Sequence, residues 1–506
     1  MRILIVLSVL CLGTLSGMAQ FTWSEDIAPI LYDHCVHCHR EGQIGPFPLY
    51  TYEEALAYDD EISEQVVTGT MPPWPANPEY RHFAYENLLT EEEKQKIALW
   101  VAAGSPEGDP DLAPGPPVYN EGSQLDEVDM VLEMEPYTLQ YNTDEYRWFT
   151  IENPFEETIY VNAIEVIPGL PEFVHHADLS YDMSGDSHYY DNLDPLSGFN
   201  GNTGSPNYDY YMNAWMAGGN VMQYPDGWGI EVLPGAYFVF EVHYGAGGQG
   251  QVDHTRMNLK LVDNPQDVRP VYASWLMNGA EEGGSFIPAN EVSWYTQQSG
   301  VFWSERSLLT ICPHQHMLGD SYRVWLETAE GDSIPLIDIP HWDFHWQMYY
   351  TFLYPQHVPV GSRVRAEASY DNTESNEHNP NDPPEHVYWG PNTTDEMMMV
   401  FSTWSPYMEG DENLLMDSTY VVSASSLTQE IELSVYPNPA DDHFYIKSVP
   451  GIAEVSLTDI NGRIIWTEIG LGPVRRISCE TLCQGIYNLC LKTSECASIS
   501  KRVVIQ

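Results

Sequence analysis

The sequence predicts a mainly β protein of several domains: a small helical unit, then two antiparallel β-sandwiches, then a small terminal β-sandwich. A chain of 506 residues is too long for one ordinary hydrophobic core, so about two to four domains are expected. Apolar residues follow a helical spacing up to residue 105, whereas short aromatic and β-branched runs separated by turn residues follow from residue 125. A stretch rich in proline, glycine and acidic residues, 106–124, lies between these regions and predicts a semi-extended linker.

The charge of the chain is strongly one-sided. Asp and Glu number 74 against 20 Lys and Arg, which gives a formal charge of −54. Such a chain repels nucleic acid and anionic membranes, so neither is expected as a partner. With 43% hydrophobic and 12% aromatic residues it is also no disordered acidic tail. We interpret the charge as a source of solubility for an exported protein rather than as a cation-binding feature.

Residues 1–19 have the pattern of a secretory signal peptide. Arg2 is the charged start, residues 3–15 are the apolar run, and Gly17-Met18-Ala19 is a small-residue cleavage site. No later run approaches the roughly 20 apolar residues that span a bilayer, so we expect no transmembrane helix. The protein should be secreted or held at the cell surface, after passing through the periplasm.

The first chemical motif is Cys35-Val36-His37-Cys38-His39. This C-x-x-C-H run is typical of covalent c-type haem attachment, in which two thioether bonds fix the porphyrin and the following histidine takes one axial position. The alternative is a redox or zinc cysteine pair, but no second C-x-x-C follows at zinc spacing. The motif therefore predicts one covalently bound haem held by Cys35, Cys38 and His39.

The residues around this motif predict three short helices, each opened by a Thr-x-x-Glu capping box and two of them closed by a glycine. The openings are Thr22 to Glu25, Thr51 to Glu54 and Thr90 to Glu93, and the closing residues are Gly69 and Gly104. Three capped helices around a haem resemble the small class of cytochrome c domain, here over residues 21–105.

The second axial ligand of the haem should lie between the second and third helices. Met71 in Met71-Pro72-Pro73-Trp74 is our candidate, because the prolines hold its loop rigid. His82 is the competing ligand, and a purely packing role is the alternative for Met71. A histidine and methionine pair would give the higher potential.

The central region predicts antiparallel strands and carries the second group of chemical residues. The predicted strands are Tyr160 to Val166, Tyr237 to Tyr244, Met257 to Val262, Tyr322 to Thr328 and Arg363 to Tyr370. The candidate ligands are His175, His176, His243, His314, His316 and Met397. His314 and His316 face the same side of an extended segment, and imidazole with thioether suits copper. His175 and His176 can share an ion only at a bulge or an irregular strand end.

Four short motifs follow one another in the central region: His-His, then His-Tyr-Gly, then His-x-His before Met-Leu-Gly, then Asp-Glu-Met. In this order they resemble the copper type II, ascorbate-dependent monooxygenases, the group of peptidylglycine α-hydroxylating and dopamine β-monooxygenases. The resemblance implies two jelly-roll-like sandwiches, over 125–262 and 263–425, that face each other across solvent and each carry one copper. It implies an electron-transfer copper on His175, His176 and His243. It also implies an oxygen-binding copper on the catalytic residues His314, His316 and Met397.

Several positions depart from this family. Cys312 stands where the peptide-hydroxylating members have a substrate-anchoring arginine, and Met399 and Phe401 replace an asparagine and a tyrosine. Met398 replaces a disulfide cysteine. These differences speak against a peptide or other carboxylate substrate and imply a more apolar pocket.

The last segment, 429–506, opens with Val435-Tyr436-Pro437-Asn438-Pro439 and contains an Asn461-Gly462 hairpin and a basic terminal strand. It resembles the type IX secretion sorting domain, with an ordinary terminal binding module as the alternative. Four cysteines there suggest two disulfides in one of three pairings, namely among Cys479, Cys483, Cys490 and Cys496.

The combined hypothesis is an exported copper monooxygenase with its own cytochrome. It would use two copper ions, one haem, O₂, a small-molecule substrate and an external donor such as ascorbate or a redox protein. One alternative is a surface electron-transfer or copper-holding protein without turnover. The other is a carbohydrate- or polymer-binding β-sandwich with a cytochrome attached.

Overall fold

The computed structural model describes residues 21–416 apart from 42, 120–122, 208, 217, 220 and 280–283, together with residues 434–436, 443–447, 452–459, 464–469, 474–479, 482, 485–493 and 498–505. The signal sequence expected at 1–19 lies outside these residues. The chain divides after Asp417 into two compact units, and it is mostly β-sheet with few helices. Among the described residues, no helix is both long and apolar enough to cross a bilayer.

The helices of the first unit gather near its beginning and start where the capping residues predict. A π-helical turn, Trp23–Ile27, leads into α1, and the side chain of Thr22 accepts from the Glu25 amide. Complete capping boxes open the second and fourth helices. The helices are α1 Ala28–His34, α2 Tyr52–Leu56, α3 Asp59–Thr68 and α4 Glu91–Ala102.

The predicted second helix is in fact two. Tyr58 leaves helical geometry, with φ −132° and ψ 22°, and separates α2 from α3. Its ring stacks on Phe47 with centroids 3.8 Å apart, a tertiary contact that helical periodicity does not reveal. Gly69 then closes α3 in the left-handed region at φ 79°, as expected.

The predicted linker begins as part of the helical unit. The carbonyl of Pro106 accepts from the Trp23 amide at 2.9 Å and from the Trp100 indole at 3.0 Å. Both tryptophans are buried in the core of the helices. The first part of 106–124 is therefore anchored, while 120–122 lie outside the described residues.

The first half of the central β region contains eleven strands and one helix. One sheet has the order β3-β9-β5-β6, and β1-β11-β4-β8 form one end of a larger sheet. The strands are β1 Met130–Glu133, β2 Tyr137–Thr138, β3 Glu145–Glu152, β4 Ile159–Ile167, β5 Val174–Asp182, β6 Tyr210–Met216, β7 Met222–Gln223, β8 Trp228–Val232, β9 Tyr237–Tyr244, β10 Val252–Asp253 and β11 Arg256–Leu261, with α5 Asp186–Leu193.

The second half repeats this plan. One sheet has the order β14-β19-β16-β17, and β12-β21-β15-β18 form the other end of the larger sheet. The strands are β12 Arg269–Asn278, β13 Phe286–Ile287, β14 Glu291–Gln298, β15 Arg306–His314, β16 Gly319–Glu327, β17 Ser333–Ile339, β18 Tyr350–Val358, β19 Arg363–Asn372, β20 Val387–Tyr388 and β21 Met399–Pro406. All five strands predicted for the central region are present within two or three residues.

The two halves share a sheet. Strands β8 and β12 pair in parallel, with Arg269 opposite Trp228 and Val271 opposite Ile230, and this pairing joins both ends into one nine-stranded sheet. The boundary expected at 262/263 falls between β11 and β12, but backbone hydrogen bonds continue across it. Each half keeps its own hydrophobic core, so two cores lie along one continuous sheet.

The segment after α3 attaches the helical unit to the second half. The Asn77 amide donates to the carbonyl of Asp338 at 2.8 Å, and the Ala84 amide donates to that of Thr351 at 2.9 Å. Phe83 is fully buried in the second core. These bonds place the Cys35–Cys38 region in the same compact unit as the central histidines.

The second unit forms two small sheets, β22-β23-β26 and β25-β24-β27-β28. The predicted hairpin strands pair antiparallel, and the turn between them, 460–463, lies outside the described residues. Cys483 and Cys496 also lie outside, so the disulfide pairings stay predictions. The strands are β22 Ser434–Tyr436, β23 His443–Lys447, β24 Ile452–Asp459, β25 Ile464–Ile469, β26 Val474–Ser478, β27 Gly485–Thr493 and β28 Ser498–Ile505.

Candidate metal centres

Three of the predicted ligands form one cluster at the end of the first half. Potential ligand atoms of His175, His176 and His243 all lie within 4.8 Å of one another. The Nδ1 atoms of His175 and His176 are 3.2 Å apart, and two imidazole nitrogens that share one tetrahedral ion lie about 3.3 Å apart. The spacing therefore suits a single metal ion.

A bulge in β5 brings the two adjacent histidines together. Val174 pairs with Tyr244 and His176 pairs with His243, so His175 is an extra residue without its own partner on β9. An extra residue bends the strand and redirects its side chains. The irregularity that the sequence required for His175 and His176 is present, and it turns both rings toward His243.

Three ring nitrogens of this cluster have no hydrogen-bond partner among the described residues. Nε2 of His175 and both ring nitrogens of His243 are buried without a hydrogen bond among the described residues. Burial lowers the pKa of His175 to about 3, and burial with the nearby His243 and His175 holds the pKa of His176 well below its ordinary value. Metal ligation needs neutral imidazoles, and an orphaned buried nitrogen is costly unless something binds it. The cluster fits a bound ion.

The second pair of histidines lies where β15 ends. The ring centroids of His314 and His316 are 5.0 Å apart and nearly perpendicular. Nδ1 of His314 lies 2.5 Å from the Gln347 side-chain oxygen, and Nδ1 of His316 lies 3.0 Å from the Asp395 carbonyl. Such outer partners fix the tautomer and leave Nε2 for a metal. Burial also lowers the pKa of both rings, that of His314 to about 3.

Glu396 holds the Met397 segment against this pair. Its buried carboxylate accepts from the amides of His316 at 2.9 Å, Leu318 at 2.6 Å and Met397 at 3.3 Å. Burial raises the pKa of Glu396 to about 8, against the opposing effect of these amides. Met397 lies two residues before Met399, which pairs with His314. The backbone of the third predicted ligand therefore runs beside both histidines.

An aromatic ring lies between the two histidine groups. Phe344 stacks on His175, with centroids 5.0 Å apart and planes at 18°, and meets His316 edge to face at 6.1 Å. The resemblance implies a solvent gap between two copper sites. Here the described residues place a phenyl ring there, so the two groups are much more closely connected than expected.

A chain of polar contacts joins the first cluster to the segment that precedes Met397. Tyr146 stacks on His243 at 4.1 Å with planes at 5°, and its hydroxyl lies 3.2 Å from that of Thr393. Thr393 donates to Asp144 at 3.0 Å. Asp144 lies 3.5 Å from Nε2 of His243, an ion-pair distance without hydrogen-bond geometry, and this neighbour lowers the pKa of Asp144.

The haem motif continues the last turn of α1. The Cys38 and His39 amides both donate to the Cys35 carbonyl, which keeps the two cysteines and the histidine on one turn. Nδ1 of His39 lies 3.0 Å from the carbonyl of Phe47, so Nε2 is left to face an iron. The residues present fit a covalently attached haem.

The alternative axial ligands differ in their surroundings. The side chain of His82 is 60% exposed, and its Nδ1 lies 3.0 Å from Glu86. Met71 is half-buried and directly follows the turn that closes α3, with its amide 3.2 Å from the Gln65 carbonyl. The burial favours Met71 as the predicted ligand.

Several residues near the candidate ligands were not predicted from the sequence. Gln347, Phe344 and Asp144 have no motif, and Glu396 was noticed only as part of the Asp-Glu-Met run. His345 belongs to no motif either, yet its ring centroid lies 6.4 Å from that of His175. The one usable signal was the density of aromatic and histidine residues at 341–346.

The departures from the family pattern cluster beside His314. Cys312 is fully buried and pairs with Phe401 across β15 and β21. Phe401 lies 6.2 Å from His314 and 5.6 Å from Tyr211, measured between ring centroids. Met399 is also buried. The surroundings of this histidine are apolar and aromatic, as the sequence implies.

Comparison with known proteins identifies the last part of the chain. Residues 434–506 match the family model of the secretion system C-terminal sorting domain. The chain carries a type IX secretion sorting domain. The protein is thus secreted or displayed at the cell surface, after export through the periplasm.

The other comparisons contribute no argument about the fold. A search of curated proteins found no match. Among solved structures, PorZ of the Porphyromonas gingivalis type IX system is 16% identical over 21% of this chain and 14% of its own, with a TM-score of 0.15. The β-D-glucuronidase of Dictyoglomus thermophilum is 14% identical over 48% and 45%, with a TM-score of 0.14. This chain thus spans less than half of either protein.

Proposed function

We propose that the protein is an exported copper-dependent monooxygenase that hydroxylates a C–H bond of an unidentified substrate with O₂ and receives electrons through a covalently bound c-type haem. In this proposal, residues 21–105 are a cytochrome c domain and the two central halves are jelly-roll-like copper domains. The observation that supports it is the convergence of His175, His176 and His243 on one point beside the His314–His316 pair.

Each ligand group has a distinct chemical task. When bound, the two copper ions would supply two electrons, which the haem would relay from the external donor, so that with two protons from solvent one atom of O₂ enters a C–H bond and the other leaves as water. Three neutral imidazoles suit an ion that passes electrons, while His314 and His316 with the thioether of Met397 would favour Cu(I). Gln347 and the Asp395 carbonyl orient the two rings of the second group, and Glu396 ties the Met397 segment to the amides of His316 and Leu318.

The surroundings of the second group indicate the class of substrate. The buried Cys312 replaces an arginine that would bind a carboxylate, and Phe401 lies next to His314. Recognition by apolar contact rather than by an ion pair is expected. We therefore propose a neutral, apolar C–H substrate.

Metal analysis tests this proposal first. The purified chain should carry about two copper ions and one haem, and His176→Ala should remove about one copper. His254→Ala alters an exposed histidine outside both groups and is the matched control, which should keep full copper. A copper-free wild-type protein, or equal copper loss in the control, contradicts the proposal.

Activity then tests the role of Met397. With reductant and O₂, a panel of apolar C–H compounds should give hydroxylated product for the wild type. Met397→Ala should abolish the product and leave the haem spectrum intact. Retained turnover in Met397→Ala would remove this residue from its proposed role.

A second candidate is a copper-holding electron-transfer protein without hydroxylase turnover. The position of Phe344 between His175 and His316 favours it, because the ring occupies space in which the family implies solvent. This candidate predicts full copper and haem content but no product from any compound. Product formation therefore separates the two.

A further inference from the structure

The loop at 344–347 lies near every predicted redox group of the first unit, and so far only its residue Gln347 has been given a role. It connects β17 to β18 and forms a tight turn, in which the Trp346 amide donates to the Asp343 carbonyl at 3.1 Å and the Gln347 side chain donates to the Phe344 carbonyl at 2.9 Å. The turn places two aromatic side chains, Phe344 and Trp346, two residues apart.

Trp346 and the haem-attachment motif both lie beside Gly218. The indole Cζ3 and the Cys38 Sγ both lie within 4 Å of the point where a Cβ on Gly218 would be, at 3.6 and 3.8 Å. The Gly218 backbone also lies close to the side chain of His37, whose pKa it raises against the larger lowering by burial. Trp346, Gly218 and the attachment motif therefore form one packed contact between the helices and the β region.

The other end of the loop lies against both histidine groups. Phe344 stacks on His175 and meets His316 edge to face, and Gln347 is hydrogen-bonded to His314. A run of four residues thus connects Cys38 with a histidine of each group. Electrons tunnel far better along such bonded and closely packed atoms than across solvent.

We propose that residues 344–347 are the path by which electrons leave the haem, with Trp346 as the contact at the haem edge and Phe344 as the contact that reaches both histidine groups. This inference rests on the proposed function. In each transfer one electron leaves ferrous haem iron, which becomes ferric, and reduces one Cu(II) to Cu(I). The external donor, ascorbate or a redox protein, restores the ferrous haem, and two transfers supply the two electrons of one hydroxylation.

The experiment uses the holoprotein with haem and Cu(II), under anaerobic conditions. A flash photoreduces the haem, and the decay of its ferrous α-band is then measured as the electron reaches copper. Trp346→Leu should slow this decay by about tenfold or more, equivalent to about 1.4 kcal/mol of barrier, whereas Trp346→Phe should retain most of the rate. Trp303→Leu is the control, because Trp303 is 87% exposed and its removal should change nothing.

A second readout separates an electron path from mere packing. The reduction potentials of the haem and the copper ions, measured by anaerobic redox titration, should be unchanged in Trp346→Leu. Copper content and the haem spectrum should also match the wild type. An unchanged haem decay in Trp346→Leu, or a slower decay that is matched by a shift of these potentials, refutes the path while leaving the proposed function intact. A wild type that binds no copper or no haem overturns both.

Discussion

The clearest energetic prediction concerns Glu396, whose side chain is fully buried. One carboxylate oxygen accepts from the amides of His316 and Met397, and the other accepts from that of Leu318 at 2.6 Å. Glu396→Gln preserves shape, and its amide oxygen can keep the first two bonds. Its NH₂ group then faces the Leu318 amide, donor against donor.

The expected loss of stability follows from the number of amide donors that lose their acceptor. A buried donor left without an acceptor costs about 1–3 kcal/mol, so Glu396→Gln should lose about 2 kcal/mol. Glu396→Ala removes all three acceptors. Since the Met397 bond is long at 3.3 Å and contributes little, we expect a loss of about 4 kcal/mol.

A local assay suits this prediction better than global unfolding, because the first unit is large and its unfolding need not be two-state. Above the raised pKa of Glu396, about 8, where its side chain is a carboxylate, hydrogen exchange of the amides at 316 and 318 should accelerate about tenfold or more in Glu396→Gln, since 1.4 kcal/mol is a factor of ten. Glu412→Gln, at an exposed carboxylate, should leave both amides unchanged. Unaltered exchange in Glu396→Gln and Glu396→Ala would show that the Glu396 side chain does not hold the amides of His316 and Leu318.

Two further predictions concern other parts of the first unit. Gln347→Leu removes the hydrogen-bond partner of His314 Nδ1 and should weaken copper binding at the second group by about 10–100-fold. Chelator competition measures this affinity. A copper affinity equal to that of the wild type would exclude the orienting role of Gln347. The second prediction concerns Glu93 and His34, whose charged groups lie 3.8 Å apart. Pairing with His34 lowers the pKa of Glu93 to about 2. Burial lowers the pKa of His34, but its pairing with Glu93 and its hydrogen bond to Asn87 raise it overall. The stability contributed by ionised Glu93 is present above its ordinary pKa of 4.5 and is lost as the pH falls toward 2. The stability contributed by protonated His34 is present below its ordinary pKa of 6.5 and is lost as the pH rises through its raised pKa. Glu93→Gln should therefore destabilise the helices by about 1 kcal/mol between pH 4.5 and 6.5 and by less on either side, followed by circular dichroism at 222 nm; a pH-independent difference would contradict the pairing.

Local features of the fold were the most predictable. The helix starts at Thr22, Thr51 and Thr90 follow from capping residues that act within four positions. The strands follow from short aromatic and β-branched runs bounded by turn residues. The break at Tyr58 was missed because it coincides with stacking on Phe47, eleven residues away in the chain.

The candidate ligands were also accessible from the sequence, but their supporting residues were not. His175 and His176 required a bulge, and the register of β5 against β9 contains one. Glu396, Phe344 and Gln347 act on histidines that are distant in sequence. No short motif marks such partners, because any buried carboxylate, phenyl ring or amide could stand there.

The sequence alone therefore determined which chemical groups the chain offers: a C-x-x-C-H motif, two sets of imidazoles with a thioether, helix caps and a sorting domain, predicted at 429–506 and matched by its family model at 434–506. These depend on residue type and on spacing within a few positions. Only the tertiary structure decided that β8 pairs with β12 across the two halves, that Phe344 lies between the histidine groups, and that Trp346 and Cys38 both lie beside Gly218. Such meetings depend on strand register and on the packing of whole sheets, whose free energy is summed over many distant residues and is not written in any short segment.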